Sequence, residues 1–197
     1  MRSARAWWVL VGIVLVAAGC AGKDFTRPAP ESLVLGRTTY GEINGRFGSP
    51  YREGTLVKND RTVRTAAYVY STVGGEPVAA GVTPARGIDF FFLDEMLVGH
   101  QFASSFKVDH TDFDDQKAPG IRKGESTRGD VVSLLGPPSG VQIYPLVAGK
   151  DDTGLLWTYV QVRTTGLSLK IYQKQLTVTV NSTGVVTDVQ LTISGER

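Results

Sequence analysis

The sequence predicts an α+β fold of two tandem repeats, each a short helix-loop-helix followed by an antiparallel β-meander. Two observations carry that prediction. The chain resembles itself at an offset of 88 residues, with Gly36 to Pro50 falling on Gly124 to Pro138 at five identities in fifteen positions. After each copy of this motif come strand-like apolar runs, and in the last of them Val189, Leu191 and Ile193 alternate with polar residues, the signature of a sheet with one wet face.

The repeated motif reads as a helix. Thr39 and Thr127 stand where an N-cap is wanted, and Glu42 and Asp130 three residues on complete a capping box. Tyr40, Ile43 and Phe47 fall on one face in the first copy, as do Val131, Leu134 and Leu135 in the second. Gly48 and Gly136 suit a positive-φ stop, with Pro50 and Pro138 just beyond to prevent continuation. Strands are expected at Val63 to Ser71, Ile88 to Leu93 and Leu97 to Phe102, the last two joined at Asp94-Glu95. In the second copy they are expected at Leu155 to Val162, Leu167 to Tyr172, Leu176 to Val180 and Val185 to Ile193, with a turn at Asn181 to Gly184. The same offset pairs Phe25 with Phe113, Phe92 with Val180 and Leu97 with Val185. Val73 to Gly87 is small, flexible and Pro-containing, a loop where the second copy has strand-like residues.

Charge and composition narrow the function. The chain of 197 residues has 21 basic and 19 acidic groups, 42% hydrophobic residues and a single Cys. The surplus of two is carried by Arg2 and Arg5; residues 20–105 hold nine charges of each sign and residues 106–197 hold ten. Disorder and nucleic-acid binding are disfavoured by this balance. One Cys excludes an intrachain disulfide framework or a Cys-cluster zinc site.

Arg2 and Arg5 precede an apolar run, Ala6 to Ala18, that is shorter than the ~20 residues of a spanning helix, which is the pattern of an export signal. Ala17-Ala18-Gly19-Cys20 resembles the lipobox of bacterial lipoproteins. That resemblance implies a signal peptide over 1–19, acyl chains such as palmitate on Cys20, and attachment to the membrane through that lipid. Several chains together hold effectively permanently, at ~0.8 kcal/mol per buried CH₂. Ala21 is not Asp, so the resemblance implies the outer membrane, facing the periplasm. Residues 20–32 read as a lipidated tether spanning at most about 40 Å, 33–105 as the first repeat and 106–197 as the second.

With the lipobox, the pattern G-x-[ST]-T-x-x-[DE]-[IV]-x4-G-x-P and the following strands, the chain resembles the SmpA/OmlA (BamE-like) outer-membrane lipoprotein family, in two tandem copies. The tandem arrangement is similar to the architecture of the β-lactamase inhibitor protein. The first resemblance implies a non-enzymatic protein-interaction module in envelope or outer-membrane-protein assembly, with other envelope proteins as partners. The second implies the alternative of a tandem-domain inhibitor of a periplasmic or secreted enzyme. For the alternative the binding candidates are Tyr68, Tyr70, Trp157 and Tyr159, which equally suit a helix-covered core because i and i+2 share a face. A carrier of a small apolar ligand between sheet and helices is a third reading without a specific mark.

No catalytic constellation emerges, and no cofactor or metal is expected. Nucleophile elbow, P-loop and HExxH patterns are all missing. His100 reads as a solvent-face strand residue. Asp109 to Asp115 could hold a divalent cation, yet as an EF-hand it places Lys117 and Lys123 where Gly and Glu are required, so a solvated linker is expected. The acid pairs Asp94-Glu95 and Asp151-Asp152 read as turn residues.

Overall fold

The two strand runs join into one sheet. The computed structural model describes residues 22–165 and 168–196, so the export segment and Cys20 lie outside the described residues. Eight antiparallel strands follow one another in chain order: β1 (Arg52–Lys58), β2 (Arg61–Ser71), β3 (Ala85–Leu93), β4 (Met96–Ser104), β5 (Gly140–Gln142), β6 (Thr153–Thr165), β7 (Ser168–Val180) and β8 (Val186–Gly195). The helices among the described residues are α1 (Tyr40–Phe47), α2 (Arg128–Leu135) and two short 3-10 segments, Pro30–Ser32 and Asp115–Gly120.

This corrects the expected fold class. Neither half contains a helix-loop-helix: the segment ahead of each α-helix forms only a short 3-10 turn, Pro30–Ser32 in the first half and Asp115–Gly120, with Pro119 inside it, in the second. The meanders are not separate either. β5, a three-residue strand, pairs with β4 on one side and β6 on the other and makes the sheet continuous.

β1 and β5 carry no pattern that reveals them. β1 is an edge strand exposed along nearly its whole length, so burial imposes no alternation on its sequence, and β5 is too short to show a period. The two strands expected over residues 167–180 are one, β7, whose polar centre Gln173-Lys174-Gln175 stays in the ladder. The extra strand-like residues of the second half are a longer β6–β7 hairpin. The 73–87 loop meets its β6 arm, where Thr83 N–H donates to Val162 O at 2.8 Å, and the end of β4, where Val78 N–H donates to Ser105 O at 2.8 Å. That loop closes the seam between β4 and β6 at the end of the sheet that β5 does not reach.

Both α-helices lie on one face of the sheet. Beneath α1, Ile43 packs with Leu33, Tyr68, Phe90, Phe92 and Phe102; beneath α2, Val131 packs with Leu155, Trp157, Leu176, Val178 and Val186. The opposite face is partly closed by the 143–152 loop, whose Ile143 and Leu146 cover Val63, Phe91 and Val98. Asn59 Nδ2 fixes that loop by donating to Pro145 O and Val147 O, each at 2.9 Å. Leu146 packs closely over Gly99, where a Cβ would lie 2.5 Å from Leu146 Cδ1 and would require that side chain to shift.

The matched helix motifs adopt the same local structure. Thr39 and Thr127 each form a complete capping box, and the glycines that end the helices, Gly48 and Gly136, both have φ of 80°. Thr39→Ala or Thr127→Ala is expected to cost about 1 kcal/mol each, read as a lowered urea midpoint. In the last hairpin the correspondence slips by one. Gly36 N–H donates to Leu97 O, and Gly124 N–H donates to Val186 O, so Leu97 answers to Val186 rather than Val185. The reason is turn length: Asp94 and Glu95, both at positive φ, make a tight turn where residues 181–185 make a longer one.

A second shared device holds the segment that precedes each helix. Arg86 Nη1 on β3 donates to Phe25 O at 2.8 Å and lies 4.0 Å from Asp24. Lys174 Nζ on β7 donates to Phe113 O and pairs with Asp112 at 2.9 Å and Asp115 at 2.7 Å. Both expected linkers are thereby corrected. Asp109 to Asp115 is an anchored segment, with Asp109 3.3 Å from Arg86, and residues 22–33 are packed along the helix face, with Pro28 and Leu33 buried. No group of residues suited to hold a metal ion occurs among the described residues.

Candidate binding face

The sheet face opposite the helices is partly open over β7 and β8, whereas Gly154, Leu156 and Thr158 of β6 are buried on it, and strand register sets what it presents. Three rows cross β6, β7 and β8: Leu156-Thr177-Gln190, Thr158-Gln175-Thr192 and Val160-Gln173-Ser194. The row below them is Gly154-Thr179-Asp188. Asp188 is the single charge in these four rows, and Lys123 Nζ neutralises it in a direct ion pair. Its other oxygen accepts from Gln190 Nε2 at 2.5 Å. The result, over β7 and β8, is a Thr/Gln surface with no net charge.

The face ends at an open strand edge. β8 is last in the sheet, and the 122–128 segment hydrogen-bonds its start through Val186 N–H to Ser126 O at 2.9 Å. From Thr187 to Ser194 no neighbouring strand follows among the described residues. Leu191 and Ile193, 41% and 45% exposed, flank this edge on the helix side. Exposed strand edges ordinarily carry charges or proline that discourage pairing. β1, at the other edge, has Arg52, Glu53 and Lys58; β8 has only the neutralised Asp188.

The aromatic candidates do not form this surface. Tyr68, Trp157 and Tyr159 are buried on the helix face, at 5%, 2% and 0% exposure. Tyr68 Oη donates to Gly48 O at 3.0 Å and Trp157 Nε1 donates to Gly136 O at 3.2 Å, so each ties its strand to the carbonyl at the end of a helix. Burial pushes the Tyr68 phenol up to about 12 and keeps it a neutral donor. Tyr159 Oη bonds Gln161 Oε1 at 3.0 Å. Tyr70 stacks on Phe106 at 6.0 Å between ring centroids. The i, i+2 spacing that sequence reasoning noted places these rings on the covered face, while the Thr and Gln residues that make the open face carry no individual signal.

The remaining candidates are placed as follows. Cys20 lies outside the described residues, but Gly22 already rests on β2, where a Cβ would come 1.9 Å from Val69 O. His100 is half-buried on the helix face opposite Phe90, not on a solvent face. Asp94 pairs with Arg61 at 3.0 Å and Glu95 with Arg64 at 3.2 Å, as turn residues. Asp151 and Asp152 belong to the 143–152 loop. No described helix is long and apolar enough to cross a membrane, which says nothing of strands.

No protein-family profile matches the chain, and no curated protein matches it. The resemblance to the SmpA/OmlA family therefore gains no family match. Among solved structures, the chain is similar to one described as "putative beta-lactamase inhibitor protein" from Streptococcus mutans, at 14% identity and a TM-score of 0.39. The likeness spans 79% of this chain and 82% of that one, and at this level it carries no functional argument.

Proposed function

We propose that the chain is a lipid-anchored, non-catalytic protein-interaction module of the bacterial envelope, held through Cys20 at the outer membrane, facing the periplasm, and engaged in envelope or outer-membrane-protein assembly. The observation that supports this reading most directly is the charge-neutral Thr/Gln face running out to the open edge of β8. Protein interfaces are depleted of charge at their centre, and an unpaired strand edge adds main-chain hydrogen bonds to a docking partner. The anchor fits the same picture. Cys20 precedes Gly22 by two residues, a reach of about 7 Å, so the lipid would hold the β2 end of the sheet at the membrane surface.

The test is photo-crosslinking in cells from probes at Gln175 and Thr192, with Glu125 as a control position. Adducts with barrel-assembly or other envelope proteins at 175 and 192, and not at 125, are expected. Adducts confined to the control would remove the open face as the binding surface, and capture of a soluble enzyme there would turn the reading to the inhibitor class. Cys20→Ala is expected to abolish acyl labelling; labelling that persists would remove the anchor.

A further inference from the structure

A cavity of about 330 Å³ lies at the seam of the two halves on the helix face, away from the Thr/Gln surface. Residues 27–33 close it on one side, the Pro137-Pro138 turn after α2 on another, and β3, β4 and β5 form its floor. Its apolar wall includes Leu33, Ile88, Phe102, Pro138 and Val141. Its polar lining is one-sided: Arg27, Arg128 and His100 contribute to it, and no carboxylate does.

Each basic group is placed with capacity to spare. Arg27 lies 5.3 Å from the centroid of the Phe102 ring and donates through Nη2 to Pro138 O at 3.0 Å, which fixes the guanidinium and leaves most of its five N–H donors unused. The carboxylate whose field most supports its charge, Asp109, is itself engaged by Arg86 and Ser104. Arg128 is exposed and makes no side-chain hydrogen bond or ion pair among the described residues. It also opens α2, where the positive end of the helix dipole disfavours a cation, so neither pairing nor the helix accounts for a charge at this position. Nδ1 of His100 is buried without a hydrogen-bond partner. Burial and the neighbouring Arg27 hold its imidazole down to about 4, so at neutral pH it is an uncharged ring.

We infer that this seam cavity binds a small amphipathic carboxylate, its apolar body against Leu33, Ile88 and Phe102 and its anionic head between Arg27 and Arg128. A volume near the lower end of the ~300–1,000 Å³ typical of small-molecule pockets suits a medium-length chain or a single ring. Two guanidinium groups give the head charge-assisted hydrogen bonds, and the seam between two packed halves is a usual place for such a site. The inference is independent of the protein partner proposed above.

The test is calorimetric titration of the full chain in detergent micelles with octanoate, and separately with 1-octanol and octylammonium. Saturable octanoate binding is expected, with octanol and octylammonium at least about tenfold weaker. Arg128 is exposed and unpaired, so Arg128→Gln should leave the urea midpoint unchanged while weakening octanoate about tenfold, and Arg128→Lys should restore part of the loss. Partition into micelles is common to all three proteins and cancels between them, and affinities of the three ligands are compared after correction for their partition measured in protein-free micelles. No saturable octanoate binding, equal affinity of the Arg128→Gln variant, or equal binding of octanol would each overturn the assignment.

Discussion

Replacing Lys174 by Ala is expected to lower the free energy of unfolding by about 3–5 kcal/mol, the loss typical of removing one partner from a buried ion cluster. The Lys174 side chain is 2% exposed, and its two carboxylate partners are 19% and 17% exposed. Removal leaves Asp112, Asp115 and the Phe113 carbonyl turned toward a vacated apolar space, and also deletes the contact of the ammonium with the Phe113 ring at 4.6 Å. Most of the cost is the orphaned charge rather than the lost attraction. The triple variant Lys174→Met, Asp112→Asn, Asp115→Asn is therefore expected to recover a large share of the stability. The Asp115 carboxyl is held below its ordinary value, chiefly by the hydrogen bond from Lys174. A depressed acid contributes stability that is present above its unfolded value near pH 4 and lost as pH falls through the folded one. The advantage of the wild type over Lys174→Ala should accordingly shrink below about pH 4. Urea midpoints at pH 7 and pH 3 measure both effects; an unchanged midpoint at pH 7 would show that the 106–121 segment is not held by this cluster.

This residue also marks where sequence reasoning stops. Capping boxes were legible at Thr39 and Thr127 because the two partners lie three residues apart; β2, β3 and β4, buried on both faces, were legible from apolar and aromatic runs, and β8 from its period of two. The joining of two meanders into one sheet was not legible, because it depends on three residues of β5 with no periodicity. The Lys174 cluster was missed for another reason. Its members are about sixty residues apart, and Asp112 and Asp115 read locally as a polar linker until the strand that carries Lys174 is placed beneath them. The self-resemblance held a usable signal, since the 88-residue offset carries Asp24, Phe25 and Arg86 onto Asp112, Phe113 and Lys174. Of the binding face, the sequence showed that β8 had one wet side but not that this side stays uncovered. Val189, Leu191 and Ile193 alternate as a buried face would, yet the last two emerge exposed at the rim of α2's cover.

Asp89→Asn is expected to act in the opposite direction and stabilise the protein at pH 7 by about 1–3 kcal/mol. Asp89 sits mid-strand in β3 on the face opposite the helices, between Ala67 and Gln101, and is 4% exposed. It accepts from Gln101 Nε2 at 2.9 Å. Burial pushes its carboxyl up to about 6, against the lowering influence of that amide and of Arg52. A raised acid binds its proton more tightly in the folded chain than in the unfolded one, so between about pH 4 and pH 6 stability falls as pH rises. The full penalty is present at neutrality. Asparagine carries no charge and can still accept from Gln101, so the variant should lose that slope, match the wild type near pH 4 and exceed it at pH 7. Urea unfolding at pH 4, 5, 6 and 7 measures the slope; a variant less stable than the wild type at pH 7 would mean that Arg52 holds Asp89 as a satisfied carboxylate. The contrast with Lys174 isolates the cause. Both groups are almost wholly buried, but Lys174 pairs with two carboxylates whereas the hydrogen bond Asp89 accepts comes from a neutral amide. Removing charge therefore orphans partners in the first case and relieves desolvation in the second, and the two variants should move the midpoint to opposite sides of the wild type.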